Sequence, residues 1–136
     1  MKKSLIALGA VVVVAGVFWL TRTFFTLQVN ARTARFNEDV ENLFIGLQKF
    51  KEVLGSYPPG GNAEVARALQ GNNPKHVIIL VGRKNEVNEK GEIVDPWGTP
   101  LRIYFSDNGV LIRSAGPNRR FDDSTVREAD DFIRSN

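Results

Sequence analysis

The chain has no cysteine and a single histidine. The first absence removes disulfides, zinc–thiolate sites and cysteine nucleophiles, although it does not fix the compartment. His76 stands beside Lys75 ahead of an apolar run, the setting of a surface or edge histidine rather than a base. No Ser-His-Asp arrangement, phosphate-binding glycine loop or histidine cluster occurs. Asp95 and Asp107 read as turn residues rather than a carboxylate pair. The expectation is therefore a protein that is not an enzyme and takes no small-molecule substrate. Basic runs are missing too: 18 Lys and Arg are spread among 15 Asp and Glu, for a net charge of +3. That pattern describes a mixed-charge solvated surface, not a nucleic-acid partner.

Charge is absent altogether from residues 4–21, and no acidic residue precedes Glu38. Leu5, Ile6, Leu8, residues 11–14, Val17, Phe18, Trp19 and Leu20 dominate this stretch. A bilayer core needs about 20 apolar residues in a helix, so the stretch is at the short end. Phe24, Phe25 and Leu27 extend it past Arg22, which can snorkel, and Trp19, Phe24 and Phe25 suit the interfacial belt. A cleaved signal peptide wants small residues after the apolar run, whereas Val17-Phe18-Trp19-Leu20 is bulky. A buried core helix this long and apolar does not suit so small a domain. An uncleaved membrane anchor over residues 1–30, followed by a domain over residues 31–136, is the reading taken. Lys2 and Lys3 face Arg22, Arg32 and Arg35 across the span, so positive-inside counting is nearly balanced; a cytoplasmic N-terminus is expected because bacterial anchors of this form usually insert that way.

Neither Pro nor Gly interrupts residues 18–44. Phe36, Val40, Leu43, Phe44, Leu47, Phe50 and Leu54 then recur at gaps of mostly three and four, the helical period. One helix over residues 4–54 is predicted, ending at Gly55-Ser56-Tyr57-Pro58-Pro59-Gly60-Gly61; Gly46 is its weak point. Asn62 is read as the N-cap of a second helix over residues 63–70. Residues 77–81 read as a buried strand or an extended segment, and residues 83–92 as a loop. Leu101, Ile103 and Phe105 alternate with Arg102, Tyr104 and Ser106, and Val110 and Ile112 with Leu111 and Arg113, around Asn108-Gly109, the preferred hairpin pair. Thr125-Val126-Arg127-Glu128 matches a capping box, which predicts a final helix through Ile133. The fold class that follows is α+β: a long N-terminal helix, half transmembrane and half amphipathic, packed against a small antiparallel sheet as a roll.

This order resembles the type IV pilin-like proteins, and within them the major pseudopilin of type II secretion. Asp95-Pro96-Trp97-Gly98-Thr99-Pro100 looks like the family's segment leading into its hairpin. Tyr57-Pro58, residues 66–69 with Asn73-Pro74, and Ser114-Ala115-Gly116-Pro117-Asn118 with Asp130-Asp131 resemble the pieces around it. The resemblance covers residues 36–133. It implies a structural subunit that assembles through its N-terminal helix with itself, other pilin-like subunits or secretion-apparatus proteins. It also implies a bacterial inner-membrane location, with one span and the domain in the periplasm. It implies calcium in the closing loop, at positions matching Asn118, Asp130 and Asp131, with Asp122 and Asp123 as substitutes; Arg119 and Arg120 would oppose the ion, and an acidic tail without a metal is the alternative. The chain departs from the family at its start. Five residues past Gly9 and Gly16 stand Val14 and Thr21, not Glu, so the peptidase signature is not recognisable. A membrane-tethered scaffold or binding domain that forms no filament is the second reading.

Overall fold

The computed structural model describes residues 2–80, 86–107, 109–122 and 130–136, with side chains from residue 12 onward. The element order is α1 (Lys2–Leu54), α2 (Asn62–Leu69), β1 (Arg102–Ser106), β2 (Gly109–Ser114) and β3 (Phe132–Ser135). The chain divides into two compact units, Met1–Thr33 and Ala34–Asn136.

In the first unit, Val12, Val13, Val14, Val17, Phe18, Trp19, Leu20, Phe24 and Phe25 are all exposed. Exposed Val and Phe in such density have no favourable place in water. Helix α1 is long and apolar enough here to cross a membrane, with a mean hydropathy of 1.5. Its threonine hydroxyls are satisfied within the helix. The Thr21 hydroxyl donates to the Phe18 carbonyl, and Thr23 and Thr26 donate to Trp19 and Arg22, each at 2.9 Å. No hydroxyl in this set needs water. The Arg22 guanidinium lies 5.1 Å from the Phe18 ring centre, so its charge meets an aromatic face.

In the second unit, α1 buries the stripe read from its periodicity: Phe36, Val40, Leu43, Phe44, Leu47 and Phe50. Gly55 ends the helix with φ +89°, and its N–H donates to the Lys51 carbonyl at 2.8 Å; only glycine adopts that backbone without strain. Helix α2 adds Val65, Ala66, Ala68 and Leu69 to the core. The Glu64 carboxyl is held below its ordinary range, first by its own backbone N–H, then by that of Gly61, with Arg67 adding a charge. After α2, residues 77–80 form no strand. The N–H groups of Ile79 and Leu80 both reach the Leu69 carbonyl; Val81, the last residue of that run, lies outside the described residues.

The sheet is antiparallel in the order β1-β2-β3. Leu101, Val110 and Ile112 point into the core, with Ile103 and Phe105 packed on it. The hairpin stands where the alternation placed it, but its turn differs by one residue. Ser106 pairs with Gly109, so Gly109 opens β2 instead of lying in the turn. Asn108 lies outside the described residues. The Ser106 hydroxyl explains the shift: it accepts from the Gly109 N–H and donates to the Gly109 carbonyl, both at 3.1 Å.

Two further expectations are corrected. Asn62 begins α2 instead of capping it, and Gly61 holds the cap position. The Asn62 side chain is taken by a distant strand-like segment. Its Nδ2 donates to the Ile93 and Leu101 carbonyls, each at 2.8 Å, and its Oδ1 accepts from the Ile93 N–H at 2.6 Å. The final helix does not run through Ile133, because Phe132–Ser135 is strand β3, paired from Ser114↔Phe132 to Leu111↔Ser135. Phe132 decides this. Its ring stacks on Trp97 at 5.4 Å and 6°, and tilts on Phe36 at 5.5 Å. That aromatic burial outweighs the local helical signal. The capping-box residues 125–128 lie outside the described residues.

Candidate functional site

The Asp95-Pro96-Trp97-Gly98 segment is built around one carboxylate. Asp95 is only 4% exposed. Its Oδ1 accepts from the Trp97 N–H at 3.0 Å and the Thr99 N–H at 2.9 Å, an Asx turn in which the side chain replaces a backbone acceptor. Gly98 takes φ +88° at the bend. Oδ2 accepts from the buried Ser114 hydroxyl at 2.6 Å, and Ser114 Oγ accepts in turn from the Gly116 N–H at 3.1 Å. A single chain of hydrogen bonds thus runs from the Trp97 turn to the mouth of the closing loop. Its members are all satisfied by each other, which is the arrangement of a lock.

The closing loop brings together Asp122, Asp130 and Asp131, with carboxylate oxygens all within 4.8 Å of one another. Two of the expected ligand positions, Asp130 and Asp131, are therefore adjacent in space as well as in sequence. Asp122 joins them as a substitute would, and Asp123 lies outside the described residues. Asn118 joins as a donor. Its backbone N–H donates to Asp130 Oδ2 at 3.0 Å and its Nδ2 to Asp122 Oδ2 at 3.0 Å. Its only oxygen in the side chain accepts from the Arg120 N–H at 2.6 Å. Gly116 makes the approach possible, since a Cβ there would fall on the Asp130 carbonyl oxygen.

Calcium asks for six to eight oxygen ligands. Four of the six carboxylate oxygens of Asp122, Asp130 and Asp131 accept an N–H from the described residues. Asp131 Oδ1 accepts from the Asp122 N–H at 3.2 Å, and Asp131 Oδ2 accepts from Arg113 Nε at 2.5 Å and is also paired with Arg113 Nη2. Asp122 Oδ2 accepts from the Asp130 N–H at 3.4 Å as well as from Asn118. Within this cluster, Asp130 Oδ1 is buried without a hydrogen-bond partner among the described residues. As arranged, most of these oxygens are engaged by donors of the chain itself.

Sequence reasoning missed two residues that organise these places. Arg113 read as the outward member of a β alternation, and Asn62 as a cap. No sequence signal marked Arg113: the expected Asn108-Gly109 turn would set it opposite Tyr104, and only the observed register sets it opposite Arg102, where two like charges repel unless each has its own partner. His76 is exposed and adopts φ +52° in the turn after Pro74. Asp107 is an exposed turn residue whose carbonyl accepts from Lys51 Nζ at 3.4 Å. No family model matches the chain, and neither does a curated protein or a solved structure.

Proposed function

We propose that the protein is a structural subunit resembling the major pseudopilin of a type II secretion or pilus-like apparatus. In this reading it sits in the bacterial inner membrane, its domain faces the periplasm, and it assembles through the N-terminal part of α1. One observation carries the proposal: a single helix, Lys2–Leu54, is apolar and exposed along its first part and buries a regular stripe under a three-stranded sheet along its second. The buried Asp95–Ser114 lock supports the same reading, because it gives the Asp-Pro-Trp-Gly segment an architectural rather than a catalytic task. The second part of α1 also keeps a large apolar side chain, Ile45, 62% exposed beside Glu41, Gln48 and Lys49.

The missing Gly-Phe-Glu pattern supports a second reading, a tethered scaffold that builds no filament. Mass spectrometry of the N-terminus of the native protein separates the two. A start at Ala10 or Val17 carrying an N-methyl group fits the subunit. An intact Met1 or Lys2 contradicts processing of that kind and leaves the tether.

A further inference from the structure

We propose that Arg113 is the built-in counter-cation of the closing loop: its guanidinium fastens Asp131 and the Asp122 carbonyl, so the loop closes without a divalent ion. This goes beyond the proposed assembly and stands whether or not the chain forms filaments.

The geometry is that of a dedicated pair. Nε and Nη2 of Arg113 both engage Asp131 Oδ2, and Nη2 also donates to the backbone carbonyl of Asp122. The Asp131 side chain is 5% exposed and that of Arg113 is 22% exposed, so the pair is largely withdrawn from water, where a charge without a partner is costly. A guanidinium offers a planar fork of N–H donors that one carboxylate and a neighbouring carbonyl can share. It thus joins the two ends of the loop, residue 122 and residue 131, to strand β2.

The strand register gives an independent reason to assign Arg113 this task. Arg113 pairs directly with Arg102 across β1 and β2, an arrangement that repels. Both are accommodated around one ring. Arg102 Cζ lies 3.8 Å from the centre of Phe121 and Arg113 Cζ 5.4 Å from it, which disperses part of the charge. Arg113 turns its remaining N–H groups to the loop. The same guanidinium stands beside the carboxylates a calcium ion would need, and the two cations exclude each other by charge and by volume. Asp130 Oδ1, buried and without a partner among the described residues, is the oxygen that a metal would recruit once the guanidinium is gone.

The test is thermal melting of the full-length chain in detergent, in chelator, in millimolar calcium and in millimolar magnesium, for wild type, Arg113→Lys and Arg113→Gln. The wild-type midpoint is expected to be the same in all three solutions, because an ion that does not bind the folded state cannot stabilise it. Arg113→Gln is expected to melt on the order of 10 °C lower in chelator and to recover in calcium, with Arg113→Lys in between. A wild-type midpoint that rises in calcium and falls back with chelator overturns the proposal. So does an Arg113→Gln protein as stable as wild type in chelator. If Arg113→Gln does not fold in chelator, folding restored by calcium counts for the proposal, and no folding in any solution leaves the decision to the wild-type midpoint.

Discussion

Asp95 shows how much one side chain can be asked to do. It satisfies two backbone N–H groups and one hydroxyl in a place that water does not reach. Asp95→Ala strands all three donors, so it should cost about 3 kcal/mol, measured by chemical denaturation of the domain fluorescence of Trp97. Asp95→Asn keeps the oxygen that serves Trp97 and Thr99 and should cost about 1 kcal/mol. The order of the two is the diagnostic feature, because a catalytic carboxylate would show the opposite emphasis, with stability spared and activity lost. The role of this residue was legible in the sequence, since an Asp before Pro-Trp-Gly has a local reason to turn the chain. Asn62 and Arg113 were not. Their partners, Ile93 and Leu101 in one case and Asp131 in the other, are far along the chain. Local rules assign such side chains to caps or solvent because the distant acceptor is invisible to them.

Among the elements, the spine was the most legible and the last strand the least. The 3.6-residue period of Phe36, Val40, Leu43, Leu47 and Phe50 comes from one face of one helix, and all five are buried. Leu47 is wholly enclosed, and Leu47→Ala should destabilise the domain by about 3 kcal/mol, through lost transfer energy and the cavity left behind. Gly46, next to it, behaves otherwise. A Cβ there would meet Leu80 at 3.6 Å and Leu69 at 3.9 Å, ordinary contact distances, while the helix gains from losing a glycine. Gly46→Ala should therefore raise stability by up to about 1 kcal/mol, read as a higher melting temperature. Strand β3 has only four residues, and three of them are exposed. No alternation of that length distinguishes it from a helix end. It exists because Phe132 has Trp97 and Phe36 to cover it and because β2 offers a free edge. The acidic loop divides in the same way. That Asp130 and Asp131 meet Asp122 follows from short separations in sequence, but the cation beside them arrives from the neighbouring strand.

At the scale of the whole molecule, the two compact units differ in what they expose. Met1–Thr33 exposes Val, Leu, Phe and Trp, whereas Ala34–Asn136 buries its apolar stripe and encloses charges such as Asp95 and Asp131 only with hydrogen-bond or ion-pair partners. In the proposed assembly, this apolar surface meets the same surface of a neighbouring subunit, and packing there rests on shape rather than on the hydrophobic effect. Because the chain contains no cysteine, a single introduced thiol reports on neighbours without background. The most direct measurement is oxidative crosslinking in native membranes of chains carrying Val13→Cys, Val17→Cys or Leu20→Cys, with Tyr104→Cys on the exposed sheet face as the comparison. Assembly through the N-terminal helix predicts disulfide-linked copies from at least one anchor position, or mixed products with another membrane subunit carrying its own thiol, and none from Tyr104→Cys. Monomers from every anchor position would contradict it.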